Sequence, residues 1–68
     1  MKLNKEKIEM LRAEKCLTKM DVIQKAQTSS QTLYRALNGE DVDAAVIGKF
    51  AKALNVPVQD IIIQEERS

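Results

Sequence analysis

Residues 18–39 read TKMDVIQKAQTSSQTLYRALNG, and this stretch decides the fold. Its apolar residues recur at helical spacing in two blocks, which predict short helices over residues 18–26 and 29–37. Because only residues 27–28 lie between the two blocks, we expect the helices to cross steeply. The stretch is therefore a helix-turn-helix arrangement, to which the flanking segments add further helices.

Local signals mark where both helices begin and end. Thr18 and Asp21 form a T-x-x-D variant of the capping box at the start of the first. Ser29 is a good N-cap for the second, because its hydroxyl can accept a hydrogen bond from an amide that the helix leaves unpaired. Gly39 follows Asn38 and suits a left-handed helix end. Residue chemistry and periodicity thus predict the same two helices.

The second helix has two faces of opposite chemistry. Its apolar face consists of Leu33, Ala36 and Leu37. Its opposite face carries amide, phenol and guanidinium groups on Gln31, Tyr34, Arg35 and Asn38. A polar face is common to surface helices, most of which bind nothing, but the second helix of a helix-turn-helix enters the DNA major groove. The preceding helix therefore favours DNA recognition by this face.

The rest of the chain predicts three more helices and completes an all-α fold. Asn4, Asp43 and Pro57 are suitable residues to open them. The strongest helical period in the chain is that of Ile47, Phe50, Ala51 and Leu54. We predict one domain of five short helices and a flexible tail, over residues 4–15, 18–26, 29–37, 43–54, 57–63 and 64–68.

The fifth predicted helix leaves one isoleucine without a place in the core. Val58, Ile61 and Ile62 supply its inward face, whereas Ile63 lies about 100° from Ile62 around the helix. We therefore expect Ile63 to contact a second subunit. The alternative is a short strand over residues 61–63 that pairs with another chain.

Two residues near the end of the first helix carry predictions of their own. Cys16 is the only cysteine, so we expect a reduced, half-buried thiol, with a redox-sensing role or a bridge between subunits as alternatives. Arg12 is expected to stay solvated, like the lysines of the same helix.

Composition limits the classes of function. The chain has 68 residues and forms one small domain. A domain of this size buries only about 60% of its unfolded surface, which makes oligomerisation plausible. The net charge is +1, so nonspecific binding to DNA should be weak. Neither a membrane-spanning run nor a signal-peptide pattern is present, and the cytoplasm is the expected location.

The residues that most enzymes and metal sites need are missing. The sequence has no histidine, so neither a histidine general base nor a plausible zinc site can form. Gly48 and Lys49 lack the earlier glycine of a phosphate loop, since Asp43 occupies that position. Glu40, Asp41 and Asp43 lack the ligand spacing of a calcium loop. We expect no catalytic activity, no metal and no cofactor.

Three segments resemble the lambda-repressor-like, Xre/Cro-type helix-turn-helix family. They are IEMLRAEKCLT, SSQTLYRALNG and IGKFAKALNVPVQDII, over residues 8–18, 29–39 and 47–62. Together they cover nearly the whole chain, and three ordered segments are far more specific than a two-residue turn. The resemblance implies a compact five-helix fold that acts as a dimer on a two-fold related operator.

The resemblance and the side-chain chemistry also predict DNA contacts for individual residues. The base-edge contacts by position in the motif are Ser30, Gln31 and Arg35. The predicted contacts to the DNA backbone are Thr18, Lys19, Thr32, Tyr34 and Asn38, with a thymine methyl as the alternative for Thr32 and Tyr34. Glutamine pairs bidentately with adenine and arginine with guanine, each giving about 1–3 kcal/mol of discrimination.

Five positions depart from the family pattern. Glycine is common where Cys16 and Gln27 stand, and a small residue is frequent where Ile23 stands. A non-glycine residue in a left-handed turn costs about 1–2 kcal/mol, so the turn at Gln27 is either altered or strained. The loop after the third helix often carries lysine or arginine, whereas this chain has Glu40 and Asp41. Carboxylates at this place repel phosphates.

Two functions from different classes remain. The first is a sequence-specific, double-stranded-DNA-binding transcriptional regulator, a repressor that acts as a homodimer. The second is a protein-interaction module of the same fold, of the antitoxin or antirepressor type, which contacts another protein instead of DNA. The polar helix face favours the first, while the acidic loop and the near-neutral charge favour the second.

Overall fold

The computed structural model describes residues 1–63, and this part of the chain contains four α-helices. They are α1 (Lys5–Lys15), α2 (Lys19–Ala26), α3 (Ser30–Leu37) and α4 (Ala44–Leu54). The prediction of an all-α fold with a helix-turn-helix is confirmed. In the described residues no helix combines the length and the apolar character needed to cross a bilayer. The predicted tail, residues 64–68, lies outside the described residues.

The first three helices begin at the predicted caps. The Asn4 side chain accepts a backbone N–H of α1 at 3.3 Å. Thr18 and Asp21 form the complete capping box: the Asp21 N–H donates to Thr18 Oγ1 at 3.0 Å, and the Thr18 N–H donates to Asp21 Oδ2 at 2.9 Å. Ser29 Oγ accepts the Thr32 N–H at 3.2 Å. Each side chain satisfies an amide that the helix itself cannot pair.

Left-handed residues lie at the ends of all four helices. Cys16, Gln27 and Asn55 have φ angles of 56°, 56° and 59°, and Gly39 has φ 91°. The turn after α2 therefore keeps the left-handed geometry although Gln27 stands where glycine would be unstrained. Asp43 lies at the N-cap position of α4 as predicted, but its side chain makes no cap hydrogen bond.

The core is aliphatic apart from one fully buried phenylalanine, Phe50. Helix α2 packs most extensively against α4 and also against α3. The buried side chains come from all four helices and from both flanking segments: Leu3, Ile8, Val22, Ile23, Ala26, Leu33, Ala36, Leu37, Ile47, Phe50, Ala51, Leu54 and Ile61. Within residues 1–63 this buried set contains no polar residue. Burial of each large aliphatic side chain contributes about 1.5–3 kcal/mol, which holds the short helices in place.

The prediction of a fifth helix over residues 57–63 is wrong. Val58–Asp60 form a single 3-10 turn, after which the chain becomes extended. Ile62 pairs with Leu3 in an antiparallel β-bridge, and Ile61 is fully buried. The predicted alternative, a short strand, is closer to the structure, although its partner is the start of the same chain rather than another chain.

Two backbone hydrogen bonds flank this bridge. The Asn4 N–H donates to the Ile61 carbonyl at 2.8 Å, and the Ile63 N–H donates to the Lys2 carbonyl at 2.9 Å. Consecutive isoleucines are β-branched and favour an extended backbone once a partner is available. The pairing with Leu3 supplies that partner, which explains why the helix stops after one turn.

Two predictions about the end of α1 are also wrong. Arg12 is not solvated: its side chain is only 20% exposed, and it forms an ion pair with Glu9. Arg12 Nη1 also donates to the Leu17 carbonyl at 3.0 Å, which ties α1 to the segment before α2. Cys16 is exposed rather than half-buried and is not part of a disulfide.

Candidate nucleic-acid interface

The outer side of α3 carries a stripe of exposed polar residues. Its members are Ser30, Gln31, Tyr34, Arg35 and Asn38. All three predicted base contacts lie in this stripe, and none of them is buried under another part of the described chain. The structure thus brings the predicted base-contact residues together on one accessible surface, hereafter the α3 stripe.

The inner side of α3 fixes the orientation of that stripe. Leu33, Ala36 and Leu37 are 1%, 0% and 8% exposed. Because these three residues recur at i, i+3 and i+4, they anchor the helix along one face and leave the opposite face to solvent. The α3 stripe is therefore presented by a helix that cannot rotate without exposing apolar surface.

A contact between a lysine and an aromatic ring joins the start of α2 to the middle of α3. Lys19 Nζ lies 5.4 Å from the centroid of the Tyr34 ring. Such a cation–π contact contributes about 0.5–1 kcal/mol at an exposed site. The ammonium keeps donors for a phosphate oxygen. Two predicted DNA-backbone contacts from different helices therefore lie side by side.

The hydroxyls of both predicted threonine contacts already have hydrogen-bond partners at the helix starts. Thr18 Oγ1 accepts the Asp21 N–H, as described above. Thr32 Oγ1 lies 3.0 Å from Ser29 Oγ, and its residue is half-buried. The Thr18 hydroxyl also lowers the pKa of Asp21 through a hydrogen bond to its carboxylate, so a phosphate that binds Thr18 would compete with Asp21 for the hydroxyl proton.

Arg35 makes an ion pair that the sequence interpretation missed. Its Nε donates to Glu40 Oε1 at 3.1 Å, and the two side chains are 63% and 50% exposed. From the sequence alone, Glu40 is expected only to place a negative charge near the phosphates. The signal that would have revealed the pair is its five-residue spacing across Gly39, since the turn at the end of a helix brings such residues together.

The acidic loop after α3 is partly neutralised by neighbouring cations. Asp41 Oδ1 accepts a hydrogen bond from the amino group of Met1 at 2.7 Å. The hydrogen bond from this amino group and its positive charge, with a smaller effect of Lys2, hold the pKa of Asp41 below its usual range. Glu40 is also paired, with Arg35. The loop therefore repels a phosphate backbone less strongly than three unpaired carboxylates would. Within residues 1–63 no group of three or more His, Cys, Asp or Glu side chains is placed to hold a metal ion.

Comparison with known proteins gives one family. A family model described as a Cro/C1-type helix-turn-helix DNA-binding domain matches residues 7–66. Curated proteins and solved structures give no match. The matched range contains the whole of α2, α3 and α4, and with them the complete α3 stripe. The chain belongs to the family of Cro/C1-type helix-turn-helix DNA-binding domains.

Proposed function

We propose that this protein is a sequence-specific, double-stranded-DNA-binding transcriptional regulator without catalytic activity, and that it acts as a repressor in the cytoplasm. The observation that carries the proposal is the α3 stripe. It combines an amide, a phenol and a guanidinium on one exposed helix face within a family of DNA-binding domains. Such groups match the donors and acceptors on base edges in the major groove.

In this mechanism α3 enters the major groove with the α3 stripe toward the bases. Gln31 pairs with an adenine and Arg35 with a guanine, while Ser30 reaches a third base edge. Lys19 and Tyr34 contact phosphates, as do Thr18, Thr32 and Asn38. The phosphate contacts set the register of the protein on the duplex, and the base contacts supply the sequence preference.

Repression follows from a dimer that occupies an operator and blocks polymerase. Two copies of α3 would read half-sites about 34 Å apart, one turn of the duplex. Ile63 supports a subunit contact, because it is a large apolar side chain with 47% of its surface exposed. Light scattering tests the dimer, with an expected mass of twice the 7.7 kDa chain. A strict monomer at working concentration, with and without operator DNA, would contradict it.

Selection of bound fragments from genomic DNA, followed by footprinting of variants, tests the DNA-binding function. Gln31→Ala or Arg35→Ala should each cost about 1–3 kcal/mol on the preferred site and relax the preference at one base pair. Lys19→Ala should weaken binding to all sequences by a similar factor, because it removes a phosphate contact.

A matched control distinguishes the loss of a base contact from the loss of one positive charge. Lys52→Ala removes one positive charge from an exposed position on α4, outside the α3 stripe. It should leave the base preference unchanged. The assigned face would be wrong if neither Gln31→Ala nor Arg35→Ala altered the footprint.

The second candidate is a protein-interaction module of the antitoxin or antirepressor type. The acidic loop and the net charge of +1 favour it. A salt titration distinguishes the candidates, because DNA binding releases counterions and its affinity falls steeply with salt. A flat salt response, or no shift with any genomic DNA pool, supports a protein partner instead.

A further inference from the structure

The end of α3 has the two hydrogen bonds of a Schellman motif. Gly39 has φ 91°, and its N–H donates to the Ala36 carbonyl at 3.2 Å. The Glu40 N–H donates to the Arg35 carbonyl at 3.2 Å. This pair of bonds folds the residue after the glycine back onto the last turn of the helix, opposite the residue five positions earlier. The backbone itself therefore places Glu40 beside Arg35.

An ion pair stands where this motif frequently has an apolar contact. Arg35 donates to Glu40 through Nε, at 3.1 Å. Within residues 1–63 neither Nη1 nor Nη2 of Arg35 has an acceptor. A guanidinium carries five donors in a rigid plane. With Nε engaged, the two terminal nitrogens remain as a pair, which is the geometry that guanine O6 and N7 accept bidentately.

We infer that Glu40 is a positioning residue that holds the Arg35 guanidinium in the plane needed to recognise one guanine. The inference rests on the proposed DNA-binding function and adds a specificity-determining residue outside the α3 stripe. A long side chain that is held by its Nε has fewer rotamers to lose when it meets a base. The pair itself is exposed, and exposed ion pairs contribute little to folding stability.

Glu40 favours recognition of one guanine through Arg35, but its negative charge lowers the affinity for DNA of any sequence. A carboxylate near the phosphates opposes binding to every sequence equally. Removal of Glu40 should therefore raise the affinity for nonspecific DNA while it lowers the discrimination at one base pair. A residue that acts only through its charge would change the first quantity and leave the second unchanged.

The test measures base discrimination in Glu40→Ala, Glu40→Gln and Arg35→Ala on the selected site and its single-base variants. Arg35→Ala should lose about 5- to 150-fold discrimination at one base pair. Glu40→Ala should lose part of it, about 2- to 10-fold, at the same base pair and at no other, because a long side chain must then be immobilised on binding. Glu40→Gln keeps an oxygen that accepts from Nε, so it should retain more discrimination than Glu40→Ala. In the Arg35→Ala background, Glu40→Ala should have no further effect on specificity.

Asp43→Asn is the matched control. It removes one negative charge from the same loop, at an exposed residue whose side chain does not cap α4 and is not paired with Arg35. It should raise nonspecific affinity as Glu40→Gln does and leave the base preference intact. Unfolding midpoints of all variants near that of the parent would show that the specificity change is not a folding defect.

Three outcomes would overturn the inference. The first is unchanged discrimination in Glu40→Ala, with affinity raised equally on all sequences. The second is a loss of discrimination spread over several base pairs, or one that Asp43→Asn shares. The third is seen with the parent protein alone. If the parent selects no DNA sequence, the proposed function is refuted, and the role of Glu40 with it.

Discussion

Gln27 has a strained left-handed backbone, which the packing of the helices on either side maintains. Its φ and ψ angles are 56° and 49°, in the left-handed region. There the Cβ atom crowds the neighbouring carbonyl, at a cost of about 1–2 kcal/mol for residues other than glycine. The buried residues on either side of this turn, Ala26 and Leu33, fix α2 and α3 against the core. The turn therefore keeps its geometry, and the strain stays at Gln27.

Gln27→Gly should make the protein more stable. Glycine relieves the left-handed strain but loses more backbone entropy on folding, so the net gain in the free energy of unfolding should be about 0.5–1 kcal/mol. Urea denaturation measures it. Gln24→Gly provides the control, since the same substitution inside α2, at an exposed residue, should cost about 1 kcal/mol. A destabilised Gln27→Gly variant would show that the side chain has a stabilising contact that outweighs the strain.

At the scale of elements, the start of α2 couples helix formation to the protonation of one carboxyl. The pKa of Asp21 is below its usual value because the Thr18 backbone N–H donates to its carboxylate, with further lowering by the Thr18 side chain and by Lys25. A carboxyl whose pKa is lower in the folded state than in the unfolded state stabilises the protein when it is ionised. This contribution is present above the unfolded pKa and is lost as the pH falls through the folded pKa.

Asp21→Asn should remove that part of the pH dependence. The free energy of unfolding of the parent should fall more steeply than that of the variant as the pH drops below about 4, because only the parent has a carboxylate to protonate at this cap. The measurement is urea denaturation from neutral pH to acid. Parallel curves for the parent and the variant across this range would contradict the assignment of the pKa shift.

Local chemistry explains why most helix starts could be predicted from the sequence. Thr18 and Ser29 each accept the amide three residues later, so their spacing alone reveals them. The same holds for the burial of Leu33, which follows from helical periodicity. Arg12 was mispredicted because its partners include the Leu17 carbonyl beyond the end of its own helix. The Arg35–Glu40 pair was missed because it depends on the backbone geometry of the turn rather than on helical spacing.

At the scale of the whole molecule, the two ends of the described chain hold each other. Leu3 and Ile62 are nearly sixty residues apart in sequence and form one antiparallel bridge. Leu3 and Ile61 are 1% and 0% exposed and close the core on this side. Sequence periodicity could not predict the pairing, since it reports which residues share a helix face and not which distant segment they meet. For this reason the sequence pattern predicts a helix over residues 57–63, where the structure has an extended segment after one 3-10 turn.

Ile61→Ala and Ile63→Ala should differ sharply in stability. Ile61 is fully buried, so its truncation should cost about 2–5 kcal/mol and leave a cavity. Ile63 is largely exposed, and its truncation should change the free energy of unfolding of the monomer by no more than about 0.5 kcal/mol. Thermal or urea denaturation at low protein concentration compares them. Equal losses in the two variants would contradict the observed division between core and surface.

The position of Tyr34 gives the molecule an optical probe of its own. The sequence has one tyrosine and no tryptophan, so the ultraviolet emission of the protein originates from the α3 stripe. A duplex that covers this phenol, or that draws the Lys19 ammonium away from the ring, alters its fluorescence directly. Occupancy of the groove can therefore be followed by quenching in unlabelled protein, without a dye to disturb the surface under study.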